Sequence, residues 1–118
     1  MRERAFRGMR IGLLGGSFNP AHDGHRHISL IAMKRLGLDR VWWLVSPQNP
    51  LKSAIELAPL EQRMARARQV AQHPHIVVSD FESRVGTQFT CDTLAVMRQR
   101  WPGVRFVWLM GAANLIQM

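Results

Sequence analysis

Four short apolar runs, residues 11–15, 41–45, 76–78 and 104–110, alternate along this chain with three stretches of helical period. No other feature constrains the fold as tightly. Apolar runs this short, without a polar residue at every second position, suit strands buried on both faces. Strands separated by helices pair in parallel through right-handed crossovers, which gives an open α/β sheet. The first helix is expected over 24–36, with Ile28, Ile31, Ala32 and Leu36 facing inward, Lys34 and Arg35 in its last turn and Gly37 as its stop. Pro59 opens a second that runs to about Gln72, with Leu60, Met64, Ala67, Val70 and Ala71 inside and Glu61, Arg63, Arg66 and Arg68 outside. The third covers 90–101, with Thr90 as N-cap and Pro102 and Gly103 closing it. Trp42 and Trp43 read as core residues of the second strand.

At 118 residues, 47% of them hydrophobic, the chain can bury one core and has room for one domain. Its formal charge of +8 favours anionic partners without choosing between nucleotides, phosphates, nucleic acid and acidic membranes. The arginines are scattered over helices and the amino terminus with no nucleic-acid-binding motif around them, so no nucleic-acid partner is expected. Cys91 is the single cysteine, which excludes an internal disulfide and fits a reducing cytoplasm. No apolar run approaches the roughly 20 residues of a membrane span, and no secretory signal opens the chain. Residues 1–9 read as a basic, solvated arm ahead of a domain over 10–118, with the true start at either Met1 or Met9. Residues 112–118 look like the first turns of a fourth helix. A four-stranded sheet without that helix would expose an apolar face, so 10–118 is expected to be the N-terminal part of a longer protein.

The chemistry concentrates in the segment after the first run, which reads GGSFNPAHDGH from Gly15 to His25. It lies where open α/β sheets bind anions, at the carboxyl end of a strand and the amino end of a helix. Gly15 and Gly16 would let the backbone turn sharply and approach a ligand. His22 and His25 would project into the crevice, donate hydrogen bonds to phosphate oxygens and gather positive charge as a transition state becomes more negative. Sitting in a loop, they should be replaceable with little change in folding. The spacing matches neither a Walker A loop nor a dinucleotide fingerprint. His22, His25 and His27 lack the thiolate or carboxylate partners of a zinc site, so no metal ligand is expected.

The string GGSFNPAHDGH, between a buried strand and a helix, resembles the signature of the nucleotidyltransferase superfamily that carries the His-x-Gly-His motif. That resemblance implies a Rossmann-like sheet of order 3-2-1-4 with helices on both faces, ending after strand four in this chain. It also implies histidines that bind ATP phosphates. Within the superfamily the chain is most similar to bacterial nicotinate-nucleotide adenylyltransferases. SPQNPLK (46–52) resembles their proline-rich loop, and Arg63 with Met64 their x-x-R-x-x-M helix. GTQFTCDTL (86–94) resembles the segment that receives the nicotinate ring. The resemblance implies catalytic His22 and His25, with ATP or phosphate contacts from Gly15, Gly16, Ser17, Phe18, Asn19, Lys52 and Gly111. It implies mononucleotide contacts from Phe89 and Thr90, and Mg²⁺ bridging the ATP phosphates without a protein ligand. Ala113 stands where the family has an aspartate for ribose hydroxyls, and the segment that cradles the triphosphate in the family's C-terminal half is missing.

The expected activity is adenylyl transfer from ATP to nicotinic acid mononucleotide, giving nicotinic acid adenine dinucleotide (NaAD) and pyrophosphate in NAD biosynthesis, with turnover by this chain expected to be weakened by Ala113 and the missing segment. Pantetheine-phosphate adenylyltransferase shares the first motif and is the enzymatic alternative. A non-catalytic or vestigial nucleotide-binding domain is the other, suggested by Ala113.

Overall fold

The structure, a computed structural model, describes residues 3–47, 58–86 and 90–109. Its strands are β1 (Arg10–Gly16), β2 (Arg40–Val45), β3 (Ile76–Ser79) and β4 (Arg105–Leu109). Its helices are α1 (Asp23–Leu36), α2 (Leu60–Ala71), α3 (Phe81–Val85) and α4 (Thr90–Arg100). The four strands form one parallel sheet of order β3-β2-β1-β4, as expected. Ile11 to Leu14 of β1 lie beside Phe106 to Leu109 of β4. The order reverses at β1, so its carboxyl end is the topological switch point where such sheets open a crevice.

The strands divide two cores by simple alternation. Leu14, Val41, Trp43 and Val45 face one layer, with Met64, Ala67 and Ala71 of α2 and Ala32 of α1. Ile11, Leu13, Trp42 and Leu44 face the other, with Phe81 of α3 and Met97 of α4. Helices therefore cover both faces, the Rossmann-like arrangement. Both tryptophans are fully buried. Trp43 Nε1 donates to Ser29 Oγ at 2.8 Å, and that hydroxyl donates to the His25 carbonyl at 2.8 Å. Ser29→Ala would strand a buried indole N–H. It is expected to lower stability by about 1–3 kcal/mol in urea unfolding, with Trp43 fluorescence as the local report.

Several boundaries and faces differ from the expectation. In α1 the buried line is His25, Ser29 and Ala32, whereas Ile31 and Leu36 are 39% and 42% exposed. The helix is rotated so that its polar residues can satisfy each other and Trp43 beneath. The short helix α3 fills what reads as a loop, its end closed by Gly86 at φ 73°. Residues 3–9, which read as a solvated arm, keep Arg4, Phe6, Arg7 and Gly8 exposed but are anchored to the sheet through the others. The Glu3 carboxylate accepts hydrogen bonds from Ser79 and Arg84, Ala5 and Met9 pack on the second core, and Met9 O accepts the Arg105 N–H at 2.8 Å. One acidic residue facing Arg84, and two apolar ones facing Trp42 and its neighbours, outweigh the arm's basic character.

Candidate active site

The turn out of β1 is made by a bulky residue and not by the glycines. Neither Gly15 nor Gly16 has a positive φ; both are strand residues paired with Leu44 and Val45. A Cβ on Gly15 would come within 2.9 Å of the Trp108 ring, so this glycine admits the neighbouring strand's indole. Phe18 takes the left-handed conformation instead, at φ 50°. For an aromatic residue that backbone is strained. It is held because the side chain is only 2% exposed, stacked on Trp43 at 5.3 Å and tilted against His25 at 4.6 Å. Any contact between Phe18 and a ligand must therefore come through its backbone.

His22 and His25 form the amino-terminal cap of α1. The His22 side chain accepts the Gly24 N–H at 3.0 Å, and His25 Nδ1 accepts the His22 N–H at 3.0 Å, a reciprocal capping box. Their rings lie 4.1 Å apart. His22 is exposed, but His25 is 3% exposed and helical, so the expectation that both are loop residues irrelevant to folding is corrected. The cause is the three-residue spacing, which places the second ring back over the helix start. Burial, and then the neighbouring His22, pull the His25 pKa from 6.5 down to about 4, partly opposed by the backbone hydrogen bond. With Nδ1 committed as an acceptor, the neutral ring carries its proton on Nε2. His25 is thus a fixed neutral donor, and not the cation-gathering group the sequence suggested.

The glycine between the histidines has a steric reason. A Cβ on Gly24 would stand 2.8 Å from the His22 ring. Gly24→Ala is expected to push that ring aside and weaken the cap by about 1 kcal/mol. A thermal melt would read the loss, and the His22 ring resonances would shift with it.

The residue that sequence patterning missed is Arg63. Expected on the solvent side of α2, it is 3% exposed. Its Nε donates to Ala58 O at 2.7 Å, Nη1 to Ser17 O at 2.9 Å and Ser46 O at 2.7 Å, and Nη2 to Pro47 O at 3.0 Å. Burial lowers its pKa. The signal was present, because position 63 lies three residues after Leu60 and four before Ala67, on the apolar stripe itself. Asn19 reinforces the same junction, its Oδ1 accepting the Ala58 N–H at 3.2 Å. A cavity of about 210 Å³ opens here, lined by Phe18, Asn19, Pro20, Gln62, Arg63 and Arg66 among others.

The structure thus brings Gly15, Gly16, Ser17, Phe18, Asn19, His22 and His25 to one end of β1, with Arg63 behind them. Lys52, Phe89, Gly111 and Ala113 lie outside the described residues. Thr90 is the first described residue of α4. Among the described residues no three histidine, cysteine or acidic side chains converge as metal ligands, and no helix is long and apolar enough to cross a membrane. The positive end of α1, a neutral imidazole donor and a buried guanidinium at a switch point form an arrangement suited to an anionic, phosphate-bearing ligand.

Comparison with known proteins agrees with that geometry. Among similar proteins, the probable nicotinate-nucleotide adenylyltransferase of Parvibaculum lavamentivorans is 58% identical over 117 residues, covering 99% of this chain and 58% of that protein. The probable enzyme of the same name from a Cereibacter sphaeroides strain is 64% identical over 109 residues, covering 92% of this chain and 58% of the relative. The chain therefore spans just over half the length of these curated relatives. The solved structure of the Plasmodium falciparum nicotinic acid mononucleotide adenylyltransferase complexed with NaAD superposes with a TM-score of 0.76 over 92% of this chain and 55% of that one. At 19% identity it speaks for the fold alone. Residues 13–118 match the cytidylyltransferase-like family, and the chain, with its His-x-Gly-His cap at the switch point of a 3-2-1-4 sheet, belongs to that family.

Proposed function

We propose that this chain carries the nucleotide site of an enzyme that transfers the adenylyl group of ATP to nicotinic acid mononucleotide, releasing pyrophosphate and forming NaAD. The observation that carries the reading is the His22–His25 cap at the carboxyl end of β1, with the His25 proton directed to Nε2 by the His22 N–H. The names of the relatives at 58% and 64% identity support the choice of mononucleotide. In such a reaction the mononucleotide phosphate attacks the α-phosphorus in line, so the protein's part is positioning and charge stabilisation. Gly15 to Asn19 would present backbone to the phosphates. His25 would donate from Nε2 to an oxygen of the transferring group, and exposed His22 would do so from the rim. The donors here are imidazole and backbone amide. Mg²⁺ would be held by the ATP phosphates, where it would neutralise their charge.

Segment 86–94 would receive the nicotinate ring through Phe89 and Thr90, and Lys52 and Gly111 would complete the ATP contacts. The reading places the enzyme in the cytoplasm, where Cys91 stays reduced. The test is to incubate the protein with ATP and nicotinic acid mononucleotide and quantify both products. NaAD and pyrophosphate in equal amounts are expected. Product formed only with 4′-phosphopantetheine would transfer the site to the sister activity, and no product with either acceptor would favour a binding domain without catalysis.

A further inference from the structure

Arg63 is a buried cation with no carboxylate within ion-pair distance among the described residues. An arginine in that position is costly unless its donors are matched. Four of its five N–H groups are matched, all by backbone carbonyls, over distances of 2.7–3.0 Å. The acceptors belong to separate segments. Ser17 follows β1, Ser46 and Pro47 follow β2, and Ala58 precedes α2. The Ser46 N–H also donates to Gly16 O at 2.8 Å, which extends the β1–β2 pairing to the start of both connections. One planar group therefore fixes the distance between the two connections that leave the sheet on the nucleotide side. Phe18, beside Ser17, needs such restraint because its backbone is in a strained region.

We propose that Arg63 is a positioning residue, which locks the glycine loop after β1 to the connection after β2 so that both meet the nucleotide phosphates as one preformed wall. The proposal rests on the phosphate-binding reading of the loop. Its chemistry depends on the fork and not on charge alone. A lysine keeps the cation but has no planar set of donors to span these segments.

The experiment compares the chain with Arg63→Lys and Arg63→Met, using amide hydrogen exchange and titration with MgATP. Both variants are expected to exchange roughly tenfold or more faster at residues 16–19 and 46 together, while amides at 12–14 and 42–44 keep their protection. MgATP affinity should fall by about tenfold or more in both, the size expected for losing a charge-assisted hydrogen-bond set. The neutral Met variant provides both readouts if a mispaired lysine prevents folding. Full recovery of loop protection and affinity by lysine would overturn the proposal, as would loosened loops with undiminished affinity. Exchange rising evenly over the whole sheet would show a merely structural role and also overturn it. If the unaltered chain does not bind MgATP, the phosphate-binding reading fails, and unchanged exchange in both variants would separately refute the clamp.

Discussion

His25→Ala is expected to lose both stability and catalysis, whereas His25→Asn loses catalysis and keeps most of the stability. The alanine variant gives up a ring packed against Phe18, His22 and Trp43, together with the acceptor for the His22 N–H. About 2–4 kcal/mol should disappear from the unfolding free energy, combining a lost cap with a partly filled cavity. Asparagine can offer an oxygen near the place of Nδ1, restoring the cap, but it has nothing near Nε2. NaAD formation should therefore drop roughly 10²–10³-fold in both variants, the usual loss for one preorganised donor to a developing charge. Equal rates in the wild type and His25→Asn would show that Nε2 plays no part. The buried ring also sets a pH dependence. Its folded pKa of about 4 lies below the ordinary 6.5, so the unfolded chain binds the proton first and stability is lost as pH falls from 6.5 towards 4. The full loss is roughly 3 kcal/mol. Glu82 acts in the opposite sense, since burial raises its pKa, so the measurement is the difference between wild type and His25→Asn at each pH. A difference that stays constant from pH 7 to 4 would contradict the assignment.

Phe18→Ala is expected to cost about 3–5 kcal/mol, a large share of the stability of a domain this size. The ring is the lid of the first core, closing Trp43 from above and supporting His25 from the side. Relief of the strained φ of 50° offsets little of this, because alanine dislikes the left-handed region almost as much as phenylalanine does. Phe18→Leu should recover a good part of the loss, since it refills the volume without the stacking. Urea denaturation midpoints order the three proteins. A Phe18→Ala variant within 1 kcal/mol of the wild type would mean that the loop is held by something other than its own aromatic anchor.

The parallel sheet and its two-faced core were legible in the sequence because the apolar runs carry a simple signal, whereas the strand order came only from the family resemblance. Ile11, Leu13, Trp42 and Leu44 fall on one side, and Leu14, Val41, Trp43 and Val45 on the other, as alternation requires. The site's position was legible for the same reason, as GGSFNPAHDGH begins where the first run ends. What patterning could not show was polar residues buried for their hydrogen bonds. Arg63, Ser29 and His25 each occupy an apolar stripe, yet a rule that sends polar side chains outward assigns all three to the wrong environment. Their partners are carbonyls, a backbone N–H and an indole, and those of Arg63 and Ser29 include groups on other segments, Ser17, Ser46 and Pro47 for the first and Trp43 for the second. Glu3 escaped notice likewise, because its partner Arg84 lies 81 residues on. Phe18 was misjudged differently. A loop flanked by two glycines suggests that glycine makes the turn, and only the three-dimensional packing shows an aromatic residue doing so.

The most direct measurement follows the histidine and loop resonances of the ¹⁵N-labelled chain during titration with MgATP. If the cap at the switch point is the phosphate site, the amides of Gly15, Gly16 and Ser17 and the His25 Nε2 resonance should shift together along one saturating curve. Amides at the far ends of β2 and β3 should stay in place, and His22→Ala should weaken the midpoint. Saturable binding that moves other residues and leaves Gly15 to Ser17 and His25 unperturbed would contradict the account.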